Sequence, residues 1–286
     1  MKNKDFSIDG SLVVITGGNT GIGRETARKL SSAGARVVIA CRNMEKAETA
    51  AREITLASQN PVGSMEIDLT KIESIRLFAE KFLEVHGIPD VLVNNAGVYM
   101  RYYKETDFGL ESTMAVNYLA PFYLSNIFLP HMAGLDGETR IVNVTSDSYY
   151  VRDFDPAIRN RRHYKGFSAY SQSKRALMYF TFELAKRIKN TSVSVNCVNP
   201  GHASTNIWPN DALHWKAARG VISLIADPPS YAAENVFYAA SGDELRGISG
   251  KYISNLTVTE PRHEKFDDSV SASLWEETLD FLSELI

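Results

Sequence analysis

The sequence has only two cysteines, Cys41 and Cys197, and a net charge of just −3. It also lacks any window approaching the roughly 18 uninterrupted apolar residues of a membrane span. Each shortage excludes something. Neither cysteine belongs to a metal-ligand spacing, and both sit in stretches that look like buried strands. They therefore suit core thiols in a reducing compartment, with a single disulfide the one alternative. The start, over 1–10, is polar and charged, so neither a signal peptide nor a transmembrane segment is expected. The near-balanced charge gives no global reason to expect nucleic acid or an anionic membrane as partner. Internal repeats, low-complexity tracts and Pro/Gly/Ser linkers are missing too. With 44% hydrophobic and 23% charged residues, the 286 positions fit one ordinary globular domain spanning 1–286.

What is present is a regular alternation. Apolar runs at 12–16, 36–40, 64–67, 90–93, 140–144, 192–198 and 251–254 read as strands. Helical patterns fall between them at 22–33, 44–57, 72–85, 109–131, 168–189 and 231–240. Strands that alternate with helices pair in parallel through helical crossovers, which predicts an α/β fold: a single-domain, Rossmann-like, doubly wound parallel sheet of about seven strands. Two stretches break the rhythm. The loop over 149–167 holds Arg152, Arg159, Arg161, Arg162 and Lys165 against Asp153 and Asp155. It reads either as a solvated basic loop or as a grip for an acidic group, a membrane surface or a partner. The connection over 202–229 carries Ile207, Trp208, Leu213, Trp215, Val221 and Leu224 beyond the sixth strand, where a substrate lid is expected. Residues 255–286 read as a C-terminal extension.

Two clusters carry chemistry. After the first strand comes Thr16-Gly17-Gly18-Asn19-Thr20-Gly21-Ile22-Gly23, a turn that opens the first helix. Backbone N–H groups and the helix dipole can face a phosphate there with no side chain in the way, so Gly17, Asn19, Thr20, Gly21, Ile22 and Gly23 form a candidate diphosphate cradle. The second cluster is Tyr170-Ser-Gln-Ser-Lys174, which puts a phenol and an ammonium one turn apart on one helix face. A tyrosine of pKa about 10 is a slow acid or base at neutral pH, and a fixed positive charge beside it is expected to bring that value down.

These residues, with Asn94-Asn95-Ala96-Gly97, Asn117 and Ser146, resemble the short-chain dehydrogenase/reductase family over nearly the whole chain. Ala40-Cys41-Arg42-Asn43, Val116-Asn117-Tyr118-Leu119, Val198-Asn199-Pro200-Gly201, Gly250-Lys251-Tyr252 and Leu274-Trp275-Glu276 are similar to its retinol-dehydrogenase-like branch. The resemblance implies an oxidoreductase acting on a carbonyl or alcohol of a small, hydrophobic molecule. Tyr170 would be the general acid, Lys174 its pKa modulator and the ribose contact, Ser146 the donor to the substrate oxygen, and Asn117 the anchor of a water. It further implies that Asp68 and Leu69 meet the adenine, that Asn95, Ala96 and Gly97 border the cofactor ribose, and that Pro200, Gly201 and Thr205 meet the nicotinamide carboxamide. Asp68 could equally cap the helix that follows, and Asn95 could simply belong to a tight turn. The separation of Ser146 and Tyr170 by 24 positions exceeds that of compact members, with Thr145 and Ser148 as substitutes if the register differs. No metal site is expected.

The cofactor is expected to be NADP. An NAD enzyme would carry an acidic residue at the end of the second strand, where this chain has Cys41 and Arg42. An arginine there can pair a 2′-phosphate, or it can merely start the next helix in solvent. A cytoplasmic location and a homodimer complete the expectations. A non-catalytic NADP-binding regulator or interaction protein on the same fold is the alternative; loss of Tyr170 or Lys174 would have favoured it.

Overall fold

The computed structural model describes residues 6–150, 154, 164–201, 228–261 and 266–286. Runs rich in valine and isoleucine on both faces suit strands covered from two sides, and they become β1 (Leu12–Thr16) and β2 (Arg36–Cys41). Next come β3 (Val62–Glu66), β4 (Val91–Asn94), β5 (Thr139–Val144), β6 (Val193–Val198) and β7 (Tyr252–Ser254). These pair in parallel in the order β3-β2-β1-β4-β5-β6-β7.

An eighth strand, β8 (Thr257–Thr259), turns back antiparallel on β7. The sequence hid it for a physical reason. Its turn uses Asn255 and Leu256 at φ 52° and 57°, and leucine rarely adopts that conformation, so no Asn-Gly signal marks the hairpin. The Asn235 side chain offsets part of the strain by accepting the Leu256 N–H at 2.9 Å.

Side-chain alternation along the strands feeds two layers. Val13 and Ile15 face a core shared with α1 (Gly21–Ser32) and α2 (Met44–Ser58), through Ala27, Leu30 and Ile54. Leu12 and Val14 face the other core, which meets α3 (Ile72–His86) through Phe78 and Phe82. The helix predicted over 109–131 is interrupted. It starts as α4 (Ser112–Met114), capped by Glu111, which accepts the Met114 N–H; it widens into a π turn (Ala115–Leu119) and continues as α5 (Ala120–Met132). Further on come α6 (Gly166–Arg187), α7 (Pro229–Ser241) and α8 (Asp268–Ser283).

The C-terminal extension proves integral to the core. Trp275 on α8 lies 4.8 Å from Phe122 and 5.9 Å from Phe180, ring to ring. Arg187 covers its other side at 4.4 Å. The expected lid over 202–229 lies outside the described residues except at its end, where Pro228 precedes α7. Most of the basic loop lies outside them too. Among the described residues, no helix is long and apolar enough to cross a membrane.

Candidate active site

The chain leaves β1 to one side and returns at β4 on the other, so the carboxyl ends of these two strands part and open a crevice. A cleft of about 1000 Å³ lies there. The turn residues Gly17, Asn19, Thr20, Gly21, Ile22 and Gly23 line it, with Arg42, Asp68 and Leu69 to one side and Asn95, Ala96 and Gly97 between. Ser146, Tyr170, Lys174, Pro200 and Gly201 also line it, and Thr205 lies outside the described residues.

The glycine turn is shaped by its neighbours. Gly17 sits at φ 67°, and a Cβ there would come within 3.0 Å of Ala96 Cα. A Cβ on Gly23 would collide with the Asn95 side chain and the Gly17 carbonyl. Asn95 is thus more than a turn former: its Nδ2 donates to the Thr16 carbonyl at 2.8 Å, while the Thr16 hydroxyl accepts the N–H groups of Asn95 and Ala96 at 3.0 Å each. Gly21, at φ 56°, has nothing within 4 Å of where a Cβ would be, so its front is open. Thr20 caps α1 without a side-chain bond, and the first turn holds no acidic residue. Positive dipole and open backbone together fit a dinucleotide diphosphate.

On the β2 side of the cleft, Arg42 is exposed just beyond that strand and no acidic residue ends it. Burial works to raise the Asp68 carboxyl, but two bonds from Thr70, together with the charges of Arg42 and Lys71, hold it below its usual range. Those bonds, from the Thr70 N–H at 3.0 Å and its hydroxyl at 2.6 Å, make Asp68 a turn-former ahead of α3, whose own cap is Lys71.

At the other end of the cleft, helix α6 turns Tyr170 and Lys174 inward. The Tyr170 phenol hydrogen-bonds Ser146, which lies just beyond β5. Thr145 is buried, with its hydroxyl bonded toward the Lys174 carbonyl. Lys174 is 3% exposed, donates to the Val144 carbonyl at 2.8 Å, and lies 5.8 Å from the Tyr170 ring centre. A Cβ on Gly97 would stand 3.4 Å from that ammonium, so the glycine keeps its approach clear.

The expected lowering of the Tyr170 pKa does not appear. Burial raises it, with the Ser146 bond working the other way, and burial also drops Lys174 to about 8. An ammonium that is itself poorly solvated, and that aims at a backbone carbonyl, does not offset the desolvation of the phenol. Asn117 lies in the π turn, and π turns often occur at functional sites. Its side chain is fully buried and does not line the cleft. Oδ1 accepts the Val98 N–H at 2.8 Å, and Nδ2 donates to the Val98 carbonyl at 2.9 Å and the Ser173 hydroxyl at 3.0 Å. The side chain therefore holds the β4 exit segment against α6.

Sequence reasoning missed Thr16, Tyr99 and Met100. Tyr99 and Met100 line the cleft, with the Tyr99 ring 6.2 Å from that of Tyr170. Position just after Asn-Asn-Ala-Gly was the one available signal for them, and Thr16 looked like an ordinary strand end.

Residues 11–214 match the family model for short chain dehydrogenases. Human retinol dehydrogenase 13 is 36% identical over 280 residues, covering 95% of this chain and 84% of that protein. Human retinol dehydrogenase 12 is 36% identical over 281 residues, covering 97% and 88%. Among solved structures, an uncharacterized protein from Mycobacterium paratuberculosis superposes with a TM-score of 0.77 at 30% identity, covering 97% of this chain and 95% of that one. A gluconate 5-dehydrogenase from Burkholderia cenocepacia, solved with NADP and tartrate, shares the fold at a TM-score of 0.70 and 23% identity, over 92% and 96%. Family model, relatives and fold agree that the chain belongs to the short-chain dehydrogenase/reductase family, in its retinol-dehydrogenase-like branch.

Proposed function

We propose that this oxidoreductase transfers a hydride between NADP(H) and the carbonyl or alcohol carbon of a hydrophobic small molecule. The observation that carries this reading is the convergence of Ser146, Tyr170 and Lys174 on the same cleft as the glycine cradle. When bound, the nicotinamide supplies or takes the hydride. The chain's own residues do the rest. Negative charge grows on the carbonyl oxygen during reduction, and hydroxyls of Ser146 and Tyr170 fixed at that point stabilise the transition state more than the ground state. Tyr170, kept protonated by burial, then donates its proton to that oxygen. Lys174 is assigned the cofactor ribose, and Asn117 supports the wall beside it. Pro200 and Gly201 are assigned the nicotinamide carboxamide, together with Thr205.

NADP is favoured over NAD by Arg42 and by the missing acidic residue after β2. One charge-assisted bond is worth roughly 1.5–3 kcal/mol, on the order of ten- to a hundredfold in preference. The apolar class of substrate rests on the relatives, which are named for retinol. A reducing, cytoplasmic setting is proposed on the two buried free thiols, Cys41 and Cys197.

The test is NADPH oxidation with hexanal, decanal, cyclohexanecarbaldehyde and benzaldehyde, and NADP reduction with the matching alcohols. Turnover of none of these by wild type would sink the reading. Arg42→Asp should lower the NADPH-to-NADH ratio of kcat/KM at least tenfold, and an unchanged ratio would remove the assignment of Arg42.

A further inference from the structure

We infer that Tyr164 is a positioning residue that fixes Tyr99 as the wall of the substrate chamber, and that this wall selects carbonyl compounds bearing a flat apolar group. The inference rests on the oxidoreductase reading above and goes beyond it to substrate shape.

The segment that leaves β4 has no regular secondary structure of its own over 95–100, so its course depends on what grips it. Two anchors do. Asn117 holds Val98 by both its N–H and its carbonyl. Two residues on, the Tyr164 hydroxyl donates to the Met100 carbonyl at 2.7 Å, with Glu111 Oε1 as a second acceptor at 3.2 Å.

Glu111 is itself fixed. It is 8% exposed and also accepts from the Thr113 hydroxyl at 2.8 Å and the Met114 N–H at 2.9 Å. The Tyr164 ring stands edge-on to Tyr103 at 5.6 Å, so ring packing and hydrogen bond act together. Gly166, at the start of α6, lets the strands of this knot close up. A Cβ there would collide with the Met100 carbonyl oxygen and lie 3.0 Å from the Tyr99 hydroxyl.

Between the two anchors stands Tyr99. Its ring tilts 59° to the Tyr170 ring at 6.2 Å, and it lines the cleft with Ser146. A carbonyl oxygen bonded to Tyr170 and Ser146 brings the carbon frame that carries it against the Tyr99 ring. An aromatic face rewards a flat apolar group over a puckered one of equal size, because a planar group meets the ring over its whole area. Tyr164 stands behind this wall and acts through it.

The experiment measures steady-state NADPH oxidation by the full chain with benzaldehyde and cyclohexanecarbaldehyde. Variants are Tyr99→Ala, Tyr99→Phe, Tyr164→Phe and the double Tyr99→Ala/Tyr164→Phe. Wild type should favour benzaldehyde in kcat/KM at least threefold, and Tyr99→Ala should erase that preference while Tyr99→Phe keeps it. Tyr164→Phe should raise the benzaldehyde KM at least threefold, leaving the NADPH KM, kcat and Tm close to wild type. In the double variant the loss of Tyr164 should add nothing to Tyr99→Ala, because it acts through a ring already gone. Losses that multiply in the double variant, an NADPH KM that rises in step, or no preference for the flat aldehyde in an active wild type would each overturn the inference. A wild type inactive on every carbonyl and alcohol would instead overturn the oxidoreductase chemistry on which it rests.

Discussion

Tyr170 and Lys174 share a helix face but answer to different demands, and their variants should separate them. Tyr170→Phe removes a proton donor and no indispensable contact with the cofactor phosphates. Turnover should fall by about 10²- to 10⁴-fold with NADPH affinity nearly intact. A variant keeping more than roughly a tenth of wild-type kcat would contradict the general-acid role. Lys174→Ala should lose turnover and NADPH affinity together, and unchanged NADPH affinity would separate the ammonium from the ribose.

The Tyr170 shift and the Lys174 value also set a pH profile. Burial keeps the phenol protonated, the form that reduction needs, while Lys174 gives up its proton near pH 8. Carbonyl reduction should therefore hold steady below that pH and decline above it; a flat profile through pH 9 would speak against the Lys174 value. Folding lowers the Lys174 pKa from 10.5 to about 8, so the unfolded chain binds more protons between those limits. The cost of burying the ammonium is full below pH 8 and fades as pH rises through that window, so this residue's contribution to stability grows with pH there.

Among the elements, α8 is the one whose place the sequence described least well. Its Leu274, Trp275 and Phe281 looked like an appended tail because nothing in local spacing says which distant helix they meet. In the fold they are buried against α5 and α6. Trp275→Ala should cost about 3–5 kcal/mol, the range for deleting a large buried aromatic. Urea unfolding checks this, and a loss below about 1 kcal/mol would mean that α8 is peripheral after all. The parallel strands and the helices of both layers were legible because each carries a complete local pattern. The π turn and the β7–β8 hairpin were not. The first depends on how Asn117 is held by Val98 and Ser173, and the second puts a leucine where turn chemistry favours glycine or asparagine.

For the molecule as a whole, the cleft joins segments from both halves of the chain, and a ligand filling it should stabilise the entire fold. At a concentration 100-fold above its Kd, NADPH should add about 2.7 kcal/mol. For a chain of this size that is a rise in Tm of roughly 4–5 °C. Arg42→Asp should shrink the rise with NADPH and spare the one with NADH; equal shifts for both cofactors in wild type would argue against a 2′-phosphate site. The same breadth explains what sequence could and could not reveal about the site. Gly17, Gly21, Gly23, Tyr170 and Lys174 announce themselves by short spacing, whereas Tyr164 meets Met100 across 64 positions and leaves no local trace.

The Thr16 hydroxyl takes N–H groups from Asn95 and Ala96, about 80 positions further along, and that one atom sets an order of events during synthesis. The glycine turn is complete in the nascent chain long before its brace exists. Until β4 emerges and slots beside β1, the Ala40 carbonyl holds the Gly17 N–H but the Asn95 side of the cradle is unbraced, and the ammonium of Lys174 is still to be made. On the proposed reading, cofactor capture should therefore be a late step in folding, gated by a long-range pairing that must first overcome the entropy of closing a large loop. Thr16→Val should slow recovery of NADPH binding after dilution from denaturant more than it slows recovery of helical circular dichroism. Equal slowing of both signals would place the brace in the earliest folding step instead.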